Sequence, residues 1–144
     1  LLHWGMRMMT ALQLASTPTL TVCLRKGFGM AWQAMNGSMM PSLGVYAWPG
    51  AEIGFMDPEV GINVAYGAKL DAIEDEDERE AERLRLIREV GETTSPYEAA
   101  GTMRIDEIID PAETRVILAE DLNRLANRPV PPLDQRPLSY WPTC

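Results

Sequence analysis

Residues 21–35 read TVCLRKGFGMAWQAM, and the fold turns on this stretch. Leu20 to Leu24 is a short, nearly all-apolar run just after the Pro18 turn, the pattern of a strand buried in a parallel sheet. Arg25 and Lys26 put two charges at its end. Gly27-Phe28-Gly29 follows, and Met30 to Met35 suits a helix that ends near Asn36-Gly37. A strand that gives way to a helix through glycines exposes the helix's first backbone N–H groups. Those donors form an anion site, here near Gly29, Met30 and Ala31. Glycine admits backbone angles that a side chain forbids and lets a ligand come close. Such a site holds a phosphate, or an oxyanion developing on a carbonyl. The same pattern also describes a tight turn with no ligand. GFG lacks the third glycine of a dinucleotide loop and the Gly-Lys-Ser/Thr of a phosphate loop.

Outward from this crossing, the N-terminal residues carry Leu1, Trp4, Gly5, Met8, Met9, Leu12 and Ala15 at helical spacing over 1–16. On the other side, residues 38–60 are rich in Pro and Gly. Val45 to Trp48 and Glu52 to Met56 read there as short strands or extended loop edges, each broken by a Pro or Gly turn. Asp57-Pro58 predicts a capped helix over 59–66. Lys69 to Val90 predicts one long helix, with acids early and arginines late, the order its dipole favours. Glu80/Arg83 and Glu82/Arg85 lie three apart on its surface. Its narrow apolar stripe is Ile73, Ala81, Leu84, Ile87 and Val90, and Gly91 ends it. Ser95-Pro96 opens a short helix, and Ile105 to Ile109 is a brief apolar link. Asp110-Pro111-Ala112-Glu113 is a strong start signal for a helix to about Asn127, with Val116, Ile117, Leu118, Leu122 and Leu125 facing inward. Residues 129–144 form a Pro-rich extended tail. Strands joined to helices on both sides make the class α/β.

Composition narrows the function. The 144 residues carry a formal net charge of −8, which argues against a nucleic-acid partner or an anionic membrane surface. No apolar run approaches the ~20 residues that span a bilayer. Cys23 and Cys144 with the single His3 are too few for a zinc site, and no other metal site is expected. Cys23, inside an apolar run, is expected as a buried thiol, which fits a reducing, cytoplasmic setting. There is no Gly-x-Ser-x-Gly elbow. The carboxylates crowd onto one helix beside arginines, so no acid/base pair stands out. Met30, Met39 and Met40 near the glycine turn are either core filler or the lining of an apolar channel. The chain starts at Leu1 in a helical pattern and reads as the inside of a larger protein.

Three stretches then point the same way. LRKGFGMAWQAM (24–35), YAWPGAEIGFM (46–56) and IDEIIDPAETR (105–115) resemble, in the same order, motifs of the carboxyltransferase (β) subunits of biotin-dependent acyl-CoA carboxylases of the propionyl-CoA, acetyl-CoA and methylcrotonyl-CoA type. The resemblance covers roughly residues 1–128. It implies the C-terminal portion of a crotonase-like (ClpP/crotonase) domain, helix-rich with a few strands, within the second of two such domains. It implies transfer of a carboxyl group from N1′ of carboxybiotin to the α-carbon of an acyl-CoA, with biotin carried on a partner. The implied partners are the rest of the β subunit, a biotin carboxylase or biotin carrier subunit, and the acyl-CoA, in a trimer of dimers. By position, the backbone N–H groups of Met30 and Ala31 become the oxyanion hole that polarises the biotin ureido carbonyl. Gly29 and Gln33 become substrate-binding residues, with Gln33 near the acyl group. Many relatives have Gly where this chain has Met30. The donor is backbone, so the hole survives in a narrower pocket. Ala47-Trp48-Pro49 and Glu52 shape the neighbouring wall, with Trp48 either in the core or against the ligand. Two alternatives stand beside this: a biotin-dependent decarboxylase subunit, and a non-catalytic assembly subunit whose acidic helix binds a partner.

Overall fold

The structure, a computed structural model, describes residues 2–126 except 16, 39 and 41. Its framework is a double step between two small parallel sheets. Strand β1 (Leu20–Cys23) bends at Leu24-Arg25 into β2 (Lys26–Phe28), and β3 (Gly44–Ala47) passes through Trp48–Ala51 into β4 (Glu52–Gly54). β1 and β3 pair in parallel, as do β2 and β4, and β5 (Glu107–Ile108) joins β3 to give the order β1-β3-β5. The α/β reading therefore holds. The glycine crossing differs from its expected form, because a second strand lies between the bend and the helix. Neighbouring backbone creates it: Trp48 N–H donates to the Cys23 carbonyl at 3.0 Å and Glu52 N–H to that of Arg25 at 2.6 Å. Pairing thus continues across the bend.

Between the layers lies a core of Cys23, Trp32, Val45, Ala47, Ala51, Ile53, Ala99 and Ile105. Trp32 sits between two glycines. A Cβ on Gly27 would fall 3.0 Å from its ring, and one on Gly37 would fall 2.5 Å away. Its Nε1–H donates to Ser38 Oγ at 2.9 Å, so the buried indole leaves no polar atom unpaired.

Helix α1 (Leu2–Leu14) forms as expected, but its apolar stripe is only partly covered. Trp4 is 68% exposed and Met8 44%, with Met9 and Leu12 half-buried. Helix α2 (Gly29–Ala34) ends at Asn36, whose φ of 65° is the left-handed stop read from Asn36-Gly37. Helix α3 (Pro58–Asp71) is longer than the 59–66 expected and begins as read, with Asp57 accepting the Glu59 N–H at 3.1 Å.

The expected single helix from Lys69 to Val90 is instead two. Helix α3 stops at Asp71, and α4 (Glu76–Glu92) starts after its own cap, Asp75, which accepts the Glu78 N–H at 2.8 Å. Like charges three and four apart inside a helix repel. Breaking the chain at 72–75 moves Glu76, Asp77 and Glu78 into a first turn, where the dipole favours them. Helix α4 folds back on α3, and Lys69 Nζ meets Glu82 at 3.1 Å. The surface pairs Glu80–Arg83 and Glu82–Arg85 form at 3.5 and 2.7 Å. The buried stripe is corrected: Leu86 is 5% exposed and packs with Ile62 and Leu70, whereas Leu84 is 49% exposed and Ala81 is on the surface. Ile73, Ile87 and Val90 do pack there. The helix also runs past Gly91 to a Thr93 cap.

Helix α5 (Pro96–Gly101) is capped by Ser95 as read. Asp110 caps a turn, accepting the Ala112 N–H at 2.7 Å, and α6 (Thr114–Ala126) follows. No residue of α6 is buried, and Val116 and Leu122, expected inward, are more than half exposed. Ile117, Leu118 and Leu125 are half-buried as expected, and polar bonds add to the docking. Tyr46 O–H donates to Asp121 Oδ2, and Trp48 Nε1–H donates to Thr114 Oγ1 at 2.9 Å. No described helix is long and apolar enough to cross a membrane. The Pro-rich tail at 129–144, with Cys144, lies outside the described residues.

Candidate functional site

The parallel pairing of β2 with β4 brings two chain crossings side by side. Phe28 is in register with Gly54, so Gly29 and Phe55 emerge together past the carboxyl ends of the two strands. Open α/β sheets bind ligands at that end. Gly29 has φ of +55°, and a Cβ on it would stand 2.9 Å from the Phe55 carbonyl oxygen. Both facts require glycine there. The N-cap of α2, Phe28, has extended backbone and makes no side-chain capping bond. The first N–H groups of α2, those of Gly29, Met30 and Ala31, precede any carbonyl that could serve them within the helix. This bears on the donors named from sequence. Met30 and Ala31 are on the surface, while Gly29 and Gln33 are half-buried on the same short helix.

Charge gathers on one flank. Lys26 Nζ binds Asp57 Oδ2 at 2.8 Å and lies 5.8 Å from the centre of the Phe28 ring. The hydrogen bond to Asp57 raises the Lys26 pKa, and the same bond from Lys26 lowers that of Asp57. The sequence showed Asp57 as a cap but not as this partner, which is 31 residues from Lys26. Phe55, 87% exposed beside Gly29, was also missed. Its only signal was its place after a strand that pairs with the glycine stretch.

Other expected residues take structural places. Burial raises the Cys23 thiol pKa, and the group is 4% exposed. Met40 is buried, and Met39 lies outside the described residues. Trp48 is half-buried with its indole N–H bound to Thr114. Glu52 extends the ladder beside Lys26. Among the described residues no group of three His, Cys, Asp or Glu side chains is placed to hold a metal. Two open grooves run along the α3–α4 hairpin, one beside Arg79 and Arg83 and one beside Glu82 and Arg85, and neither includes a residue of α2.

The arrangement presents the first backbone N–H groups of α2 beside a left-handed glycine, and donors of that kind can stabilise negative charge on an oxygen. Comparison with known proteins gives this a family. The model of the carboxyl transferase domain matches residues 1–137. The carboxyltransferase subunit of propionyl-CoA carboxylase from Haloferax mediterranei is 34% identical over 128 residues, which cover 89% of this chain and 24% of that protein. The methylmalonyl-CoA carboxyltransferase 12S subunit of Propionibacterium freudenreichii subsp. shermanii is 35% identical over the same shares. A crystal structure of transcarboxylase 12S, with methylmalonyl-coenzyme A and methylmalonic acid bound, superposes with a TM-score of 0.78 at 34% identity, over 94% of this chain and 26% of that one. The chain thus spans about a quarter of the length of these relatives. It belongs to the carboxyl transferase domain family, as the three sequence motifs implied.

Proposed function

We propose that this chain supplies the biotin-facing part of a carboxyltransferase, which moves a carboxyl group from carboxybiotin to the α-carbon of an acyl-CoA. The family match over residues 1–137 carries the reading, and the geometry at Gly29 supports it. The left-handed Gly29 and the uncapped start of α2 fit a carbonyl oxygen that gains negative charge. Biotin, carried on a partner subunit, brings the carboxyl group. This chain's own part is to hold the ureido oxygen with the backbone N–H groups of Met30 and Ala31. Gln33, three residues after Met30 and so on the same helix face, is assigned to the acyl chain, and Gly29 gives the close approach.

Residues 1–128 form the carboxyltransferase portion in this reading, and 129–144 form the tail. The remaining part of the β subunit completes the site, within a trimer of dimers that also meets a biotin carboxylase or carrier subunit. The exposed Trp4, Met8, Val116 and Leu122 support such partners, since these large apolar side chains are left uncovered here. A cytoplasmic setting suits the unpaired, buried Cys23.

Ala31→Pro tests the assignment in the assembled enzyme. It deletes one donor in the first turn of α2, where proline costs no intrahelical bond. Carboxyl transfer is expected to fall about 10²- to 10³-fold, the usual loss for one oxyanion-hole donor. Unchanged transfer would sink the assignment.

A further inference from the structure

We infer that Lys26, Phe28 and Asp57 form a strap that sets the start of α2 against the end of β4, making Lys26 and Asp57 positioning residues for the Met30 and Ala31 donors. The inference rests on the donor assignment above. Residues two apart on a strand face the same way, so the Lys26 side chain runs along Phe28. Its ammonium lies 5.8 Å from the Phe28 ring centre and ends 2.8 Å from Asp57 Oδ2. The other carboxylate oxygen, Oδ1, accepts the Glu59 N–H at 3.1 Å. One carboxylate therefore ties the first residue of β2 to the first turn of α3. The tie spans the point where Gly29 meets the Phe55 carbonyl.

The strap matters because the ladder beneath it is short. β2 and β4 pair over three residues each, which restrains weakly the direction taken by the chain beyond their ends. Phe28 is the last residue of β2 and the N-cap of α2, so a contact that holds its ring restrains the residue from which α2 begins. The pair is a poor stability device. Its side chains are 48% and 26% exposed, and ion pairs of that exposure add little to folding. Its effect on aim is bounded by the same small energy, a severalfold change in how often the donors are aligned.

The test uses Lys26→Met and Asp57→Asn in the assembled carboxyltransferase. Asparagine keeps a side-chain oxygen for the Glu59 N–H, so the cap of α3 survives. The expected result is a kcat about 3- to 5-fold lower with the KM for acyl-CoA nearly unchanged, the signature of misplaced groups. Lys26→Arg is expected to restore most of the rate. Added salt is expected to lower the wild-type kcat but not that of Lys26→Met. A kcat within about twofold of wild type in both variants overturns the inference, even if the melting temperature falls. If Ala31→Pro leaves transfer unchanged, the donor assignment fails alone. The strap is then judged by amide hydrogen exchange at residues 29–31. Faster exchange in Lys26→Met supports it, and unchanged exchange overturns it.

Discussion

Gly29→Ala is the most direct probe of the glycine crossing. Its φ of +55° is left-handed, which costs an L-residue about 1–2 kcal/mol. The new Cβ would also stand 2.9 Å from the Phe55 carbonyl oxygen, where ordinary contact begins at 3.4 Å. That neighbour is backbone at the end of β4, not the tip of a flexible side chain. The collision is relieved only by moving a strand end or tilting α2, a cost of about 1–3 kcal/mol by analogy with overpacked cores. Together the terms give a destabilisation of about 2–5 kcal/mol. This is a large share of the ~5–15 kcal/mol that holds a typical domain folded.

Gly50→Ala is the control. Its φ is not positive, and a Cβ there meets nothing within 4 Å. Alanine at such a site stabilises by about 0.4–1 kcal/mol by stiffening the unfolded chain. Urea unfolding of the two variants is expected to diverge in opposite directions from wild type, and carboxyl transfer by the assembled enzyme is expected to fall in Gly29→Ala alone. If Gly29→Ala matches Gly50→Ala in both stability and turnover, neither the strained glycine nor its closeness to Phe55 matters, and the site loses its geometric basis.

Two further outcomes test the packing. Leu86→Ala is expected to cost about 2–5 kcal/mol and Leu84→Ala less than about 0.5 in the same unfolding experiment; equal losses would restore the stripe expected from sequence. Burial, then the bond to Asp121, pushes the Tyr46 phenol up from 10.0 to about 12. The folded state thus holds this proton more tightly than the unfolded chain. The stabilisation is complete below pH 10 and disappears as pH rises from 10 towards 12. Tyrosinate absorbance followed against pH, with Tyr46→Phe as the difference, should show one late-titrating group, and its absence would refute the buried Tyr46–Asp121 contact.

What could be read from sequence was local. Asp57-Pro58 and Ser95-Pro96 cap helices because a cap needs only the next two or three residues. Asn36 stops α2 for a reason contained in its own backbone. What escaped depends on distant partners. Residues 26–28 are a strand because residues 52–54 lie alongside, and Ile105 to Ile109 holds strand β5 because β3 is open to it. The inward face of α6 was read in part: Ile117, Leu118 and Leu125 are half-buried, whereas Val116 and Leu122 are exposed. Periodicity could not show the polar contacts that also hold this helix, Asp121 to Tyr46 and Thr114 to Trp48, 75 and 66 residues apart. The α3–α4 break was legible in principle. Asp75 stands three residues before Glu78, the spacing of a cap inside an acid run, and the helical pattern of the flanks concealed it.

The proposed site needs no catalytic side chain. The sequence has one histidine, and among the described residues no three His, Cys, Asp or Glu side chains are placed to hold a metal. Backbone donors move the chemical constraint onto residues that shape the main chain. Gly29 must be glycine for its angle and its neighbour, and Gly27 and Gly37 must be small because Trp32 lies against both. The side chain that follows is freer. Met30 is 45% exposed and can change without touching its own N–H. A methionine at this position is therefore compatible with the same chemistry. Substitutions at the packing glycines, which touch no ligand, are expected to be more damaging than at Met30, because they move the turn that aims the donors.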